Sequence, residues 1–265
     1  MRVIKYYINL YIAFVKNTLT RETDYRANFI GDLIDSLANF IVSILFFDTL
    51  YLNVDTIASW GKYETLLLVG TAQLLTSLLY TFFMNNLPRV QKYVLHGDLD
   101  YIMLKPCDSQ FYISFRYFYF GGIANAVPAV LLILYSLNRL SISISLGKGC
   151  VFIFYVICGL GISYALWMIV MTCSIYFLKV SELHELFLST LKFIEYPGSI
   201  YKGILRIIFT FVIPFLAIAN IPVEYLSGQL SFENSIYVVV IAILFVVLSK
   251  VFWNKSLKWY QSASS

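Results

Sequence analysis

Between Cys150 and Leu178 the chain carries no Asp, Glu, Lys, Arg or His. A helix of about 20 apolar residues already covers the roughly 30 Å hydrocarbon core of a bilayer, so this run alone dictates the solvent the fold must suit. Comparable stretches lie at Asn28–Leu52, Tyr63–Met84, Tyr117–Leu137, Gly203–Ile221 and Ile236–Phe252. The pattern predicts an all-α integral membrane protein with six crossings in a single domain over residues 28–252. Composition agrees, because 13% of the 265 residues are charged, against about 25% in an average soluble domain. No water-facing shell can be assembled from it.

The placement of charge orients the crossings. Of the 19 Lys and Arg residues, all but Lys62, Arg139 and Lys148 fall on one side of the predicted spans. Basic residues concentrate in cytoplasmic loops, which puts both termini, the loop over residues 85–116 and the tail over residues 253–265 inside the cell. A net charge of +4 gives no argument for nucleic acid. Residues 1–27 hold Lys5, Lys16, Arg21 and Arg26 among Ile, Tyr, Leu and Phe, which suits an amphipathic helix on membrane lipid and not a cleaved signal. Cys107, Cys150, Cys158 and Cys173 have no CxxC spacing and imply neither a metal nor a disulfide framework.

The 85–116 loop is the least apolar part of the middle of the chain. Asn86 is a candidate cap, Pro88 suits the first helical turn and Gly97 supplies a left-handed stop, predicting a helix of about ten residues from Leu87 to His96. Leu87, Val90 and Val94 fall on one face, with Arg89, Gln91 and Lys92 off it. Such a helix either lies on the membrane or presses into the groove of a partner.

Polar residues within spans mark either packing or a path. Gln73, Thr76, Ser77 and Tyr80 form a stripe at near-helical spacing on the second span, suited to lining a cargo path or to bonding a neighbouring helix. Asp32 and Asp35 lie three apart at the start of the first span, where a helix N-terminus or Arg26 can offset them. Gly122 with Ala126, and Gly161 with Ala165, are small pairs that let helices approach. His96 and His184 are the only histidines, and neither has metal-ligand spacing to another candidate.

The segment "GDLDYIMLKPCDSQF" (Gly97–Phe111) resembles the cytoplasmic motif of permease subunits of ATP-binding-cassette exporters of the second type, in the branch with Gly-acidic-Leu followed by Leu-basic-Pro. "YRANFIGDLI" (Tyr25–Ile34), "WGKYETLLLVG" (Trp60–Gly70), "YPGSIYKGILRIIFTFVIPF" (Tyr196–Phe215) and "LKWYQSASS" (Leu257–Ser265) are similar to that branch in order and spacing. Cys107–Gln110 depart from it. The resemblance implies a bacterial cell-membrane permease half that works with a second permease half, itself a copy or a related chain, and with two cytoplasmic ATPase subunits. The loop would then be the coupling helix, its interface drawn from Leu87, Pro88, Arg89, Val90, Gln91, Lys92, Tyr93, Val94, His96, Gly97, Asp98 and Asp100. Asp98 and Asp100 would end the helix and Pro106 would turn the chain back. ATP and Mg would sit on the partner, since the sequence holds no G-x-x-x-x-G-K-[ST] phosphate loop and no cofactor is expected on this chain.

Hydropathy and the resemblance part at the fifth crossing. Hydropathy selects Gly203–Ile221 and leaves "SELHELFLSTLKFIEYP" in the cytoplasm. The resemblance implies instead a short span over residues 183–197, followed by a re-entrant pair over 203–221 bent at Pro214. Glu185, Lys192 and Glu195 weigh for the hydropathy reading. In either case Pro214 and Asn220 are candidates for an outer gate. The function expected is outward transport of an amphiphilic or hydrophobic cargo. An ATP-independent carrier would show internal repeats and deep carboxylates, and an intramembrane enzyme would show clustered ligands or a nucleophile with its base. Neither pattern is evident, and a membrane scaffold or sensor is the remaining alternative.

Overall fold

The computed structural model of the chain describes residues 2–22, 26–177 and 181–260. Tyr25, Leu178, Lys179 and Gln261–Ser265 lie outside the described residues, as do the side chains of Asp32 and Asp35. Helix α1 (Arg2–Glu22) leads to α2 (Arg26–Leu50), and a two-strand hairpin follows, β1 (Thr56–Ile57) paired antiparallel with β2 (Trp60–Gly61). Then comes α3 (Lys62–Leu79), started by a one-sided cap in which Glu64 accepts from the Gly61 amide at 2.9 Å. It runs on through a π-helical turn, Tyr80–Met84, and a tight turn into α4 (Arg89–Leu95), so that Lys62–Leu95 forms one rod of 34 residues.

Two more short helices, α5 (Leu99–Met103) and α6 (Ser109–Phe115), complete the loop before α7 (Phe120–Arg139) and α8 (Leu146–Thr172). α9 (Ser181–Thr190) continues as a 3-10 helix, Leu191–Glu195. Beyond it lie α10 (Gly203–Ile207), a π-helical turn Ile208–Val212, α11 (Phe215–Ile218), α12 (Asn220–Leu226) and finally α13 (Phe232–Ser256). Among the described residues, four helices are long and apolar enough to cross a membrane: Lys62–Leu95, Phe120–Arg139, Leu146–Ile175 and Phe232–Ser256. The expected crossing at Gly203–Ile221 is not a straight helix. Gly203–Val212 and Phe215–Leu226 meet at 64°, with buried Pro214 at the break, where the missing proline N–H lets the backbone depart from helical pairing.

Hydrogen bonds fix which end of the molecule each segment reaches. At the hairpin end, Tyr51 OH donates to the Trp60 carbonyl at 2.9 Å and Lys62 pairs with Asp48 at 3.0 Å. Ser199 Oγ donates to the Ala58 carbonyl at 2.8 Å, and Gln229 Nε2 to Glu64 Oε1 at 3.1 Å. Ser199 precedes the bent pair and Gln229 follows it, so the pair enters and leaves at the same end. Lys202, three residues from Ser199, therefore belongs with Lys62 at the hairpin end and not with the loop, where the charge count had placed it. α9 and its 3-10 extension carry the chain between the two ends.

The core forms where α3 meets α7 and where α8 meets α13, with Leu67, Leu68, Leu75, Ile162, Trp167, Met168 and Trp253 fully buried. Two glycines set the closest approaches. A Cβ on Gly122 would lie 2.2 Å from Thr81 Oγ1 and 2.9 Å from the Ser77 carbonyl, so α7 rests directly on the backbone of the α3 rod. On α8 the tight contact is at Gly159, where a Cβ would meet the Ile218 carbonyl at 2.5 Å. Gly161, the glycine favoured from sequence, makes only an ordinary contact, 3.7 Å from Val246.

Candidate functional site

A cavity of about 510 Å³ opens between α2, α3, α7 and α9. The stripe read from sequence, Gln73, Thr76, Ser77 and Tyr80, lies on one wall of it, brought together because a 3.6-residue period keeps i, i+3, i+4 and i+7 on one face. Facing that wall is α2, with Asn39 and Ser43 beside Phe40, Phe46 and Phe47. α7 adds Asn125, whose Oδ1 is buried and has no hydrogen-bond partner among the described residues, and Pro128. The last wall is the end of α9 and its 3-10 turn: Leu188, Leu191, Lys192, Glu195 and Tyr196.

Lys192, Glu195 and Asn125 were not candidates from sequence. The two charges counted against this segment crossing a membrane, yet a charge at depth is tolerated when it faces a polar cavity. Their signal was present as a lone charged pair three residues apart in an apolar stretch. Pro214 and Asn220 do not line the cavity. Asn220 is buried at the hairpin end, where its Oδ1 accepts from the Gly198 amide at 2.7 Å and pins the bent pair to the turn after the 3-10 helix.

At the other end, the α3 rod delivers the loop. Gly97 takes φ +77°, the left-handed stop that the sequence called for. Asn86 is not a cap, however. Its Nδ2 donates to the Phe82 and Tyr117 carbonyls at 2.7 and 2.6 Å, and its Oδ1 accepts from the Tyr117 amide at 2.9 Å, stitching the loop's entry to its exit. The helix is correspondingly shorter, 7 residues from Arg89.

The face expected to meet a partner is turned inward. Leu87 and Val90 are fully buried within the chain, Val94 packs on the same core, and Tyr93 is half-buried. Arg89 lies over the Tyr117 ring at 4.3 Å. Lys92 and His96 are exposed. Asp98 and Asp100 do not end this helix; Asp98 stands just before α5 and Asp100 in its first turn. On α5, Leu99 and Ile102 point inward, whereas Tyr101 is 70% exposed, Met103 41% and the following Leu104 82%. Sequence reasoning passed over these three because the five-residue helix that presents them is too short to show a period.

The loop's return limb is clamped. Tyr6 OH donates to the Pro106 carbonyl at 3.0 Å, and the Asp108 amide donates to Tyr7 OH at 3.1 Å, which ties the loop to α1. Asp108 caps α6 by accepting from the Phe111 amide at 2.9 Å and forms an ion pair with Lys250 of α13. Trp253 Nε1 donates to Ser109 Oγ at 3.0 Å, and Gln110 Nε2 to Tyr164 OH on α8 at 3.1 Å. Burial acts to raise the Asp108 carboxyl, but the Lys250 ammonium and the Phe111 amide outweigh it and hold the group below its ordinary value. Burial and the neighbouring Asp108 raise the Cys107 thiol, so at neutral pH it is protonated and slow to react.

His184 is buried on α9 and accepts through Nδ1 from Trp167 Nε1 at 3.1 Å. No cluster of three or more His, Cys, Asp or Glu among the described residues could hold a metal. The site thus offers a polar and aromatic chamber beside the α3 rod and, past the rod's far end, an exposed apolar tip, a combination suited to holding a solute and to being moved.

Comparison with known proteins bears on the same residues. No curated protein and no solved structure matches the chain. A family model described as "ABC-2 family transporter protein" matches residues 37–264, which takes in most of α2, the α3 rod, the loop and every later helix. The chain therefore belongs to the ABC-2 transporter family and is a multi-pass membrane component of a transport system.

Proposed function

We propose that this chain is one permease half of an ATP-driven exporter that moves an amphiphilic cargo outward, with ATP hydrolysed on separate ATPase subunits. The observation that carries the proposal is the α3 rod, which bears the cavity stripe Gln73–Tyr80 and at its end delivers, across the Gly97 turn, the short helix whose tip is apolar and exposed. A push on the tip is thereby a push on the cavity wall. The π-helical turn at Tyr80–Met84 lies between the two, and such turns inside α-helices occur frequently at functional sites.

In this reading the loop end faces the cytoplasm, and six segments cross: α2, α3, α7, α8, α9 with its 3-10 extension, and α13. The fifth is short. Its 10 α-helical and 5 3-10 residues rise about 25 Å. The bent pair α10–α12 is then re-entrant in the outer leaflet, acceptable because its break is packed on protein. The coupling surface is Tyr101, Met103 and Leu104, with the buried face of α4 holding it in place. Membership of the ABC-2 family supports a partner ATPase and a second permease, self or related.

The orientation is tested by an impermeant thiol reagent on intact cells. In a chain whose own cysteines are replaced by serine, Lys92→Cys should label only after the cells are permeabilised, while Leu146→Cys, at a position 89% exposed beside the Arg139 end of α7, should label directly. The reverse pattern would overturn the topology. The coupling surface is tested by Leu104→Asp, which should weaken co-purification with the ATPase and lower cargo-stimulated hydrolysis while the permease remains folded.

A further inference from the structure

We propose that the cavity receives a zwitterionic amphiphile, a molecule whose head carries an anion and an ammonium close together and whose tail is acyl or aromatic. This rests on the transport reading above and adds the cargo's charge pattern to it.

The 3-10 turn is the starting point. With about three residues per turn, side chains at i and i+3 align on one face, so Lys192 and Glu195 both stand on the cavity wall, about 6 Å apart along the axis. Among the described residues neither forms a close ion pair; Lys192, which is exposed, acts on the Glu195 carboxyl only from a distance. A lysine and a glutamate at membrane depth are costly when left without partners. Each therefore keeps its capacity for a ligand of opposite charge. A singly charged ligand would satisfy one and leave the other; a zwitterion satisfies both.

The remaining walls fit the same molecule. Asn125 of α7 adds a side-chain amide to the polar lining of the cavity. Phe40, Phe46 and Phe47 of α2 form the apolar side, suited to a tail. The chamber thus has a polar, oppositely charged wall facing an aromatic one, which is the arrangement of an amphiphile's own head and tail.

The test uses the full chain purified in dodecyl maltoside, whose head is uncharged. A phosphocholine probe with a diazirine in its tail is photo-crosslinked, and competitors sharing a 12-carbon tail are added: dodecylphosphocholine, dodecyl phosphate and dodecyltrimethylammonium. The phosphocholine should compete at an about tenfold lower free concentration than either singly charged analogue, the loss expected from one missing charge-assisted contact. Crosslinks should map to α2 or to Leu188–Tyr196. Lys192→Gln should move the preference toward the ammonium, and Glu195→Gln toward the phosphate. Should a variant fail to fold, the ranking on the unaltered chain decides. Equal competition by the three heads, a preference for one singly charged head, or crosslinks mapping elsewhere would overturn the proposal. No ATPase takes part in this experiment, so an exporter of some other cargo would lose the ranking yet keep its ATPase pairing, and the two failures are distinguishable.

Discussion

α4 and α5 stand on either side of Gly97, both short and both burying part of an apolar face, yet they differ in what they leave outside: Leu95 on α4, but Tyr101, Met103 and the following Leu104 on α5. α4 turns Leu87, at its entry, and Val90 into the chain's own core, while α5 leaves Tyr101, and Leu104 just past its end, to the outside. The cause is what surrounds each. α4 extends the α3 rod, is held at its entry by Asn86 against Tyr117, and lies within reach of α8; α5 begins after a left-handed turn that points the chain away. An apolar face shows that a helix has a partner, and neighbours distant in sequence show whether that partner is the chain itself.

Substitutions can break this comparison. The largest effect is expected from Val90→Asp, which would bury a carboxylate among apolar side chains at a cost of roughly 3 kcal/mol or more. The variant should lose its monodisperse peak on size exclusion or unfold at a markedly lower temperature. A normally folded Val90→Asp chain that merely failed to hold an ATPase would hand the docking role back to α4.

Next come Tyr101→Ala and Leu104→Asp, which should leave the unfolding midpoint unchanged but weaken ATPase association by about 2 kcal/mol, roughly thirtyfold, as expected of exposed anchors that become buried in a complex. Full retention of pairing in a pull-down would remove α5 from the interface.

A smaller effect is expected at the clamp that positions the loop's return. Asp108 and Lys250 are each more than a third exposed, so Asp108→Asn should cost no more than about 1 kcal/mol. The sign with pH follows from the lowered carboxyl. A group with a folded pKa below its unfolded value of about 3.9 contributes fully above that value and loses its contribution as pH falls through the folded pKa. The midpoint difference between the unaltered chain and Asp108→Asn should therefore be constant from pH 8 to about 5 and shrink below about 4. A difference that vanished near pH 6 or 7 would point to another group. Smallest of all is Lys92→Ala, an exposed cation on α4, expected within about 0.5 kcal/mol for both folding and association. A large loss of ATPase pairing in this variant would contradict the assignment of α4 to the chain's own core.

The sequence by itself determined the solvent, the helical class and the side-chain stripe Gln73–Tyr80, because hydropathy and the 3.6-residue period are local quantities. Gly97 was legible for the same reason, since a left-handed stop is a demand on one residue. The tertiary structure alone decided the path of residues 181–226, where hydropathy read Lys192 and Glu195 as polar interruptions and could not register the cavity that they line. It alone gave Asn86 its role, through a partner 31 residues away, and chose Gly159 over Gly161 as the close contact of α8. Which apolar face of the loop remains free was settled in the same way. Burial is a property of neighbours that the chain brings together only on folding, and no window along the sequence contains them.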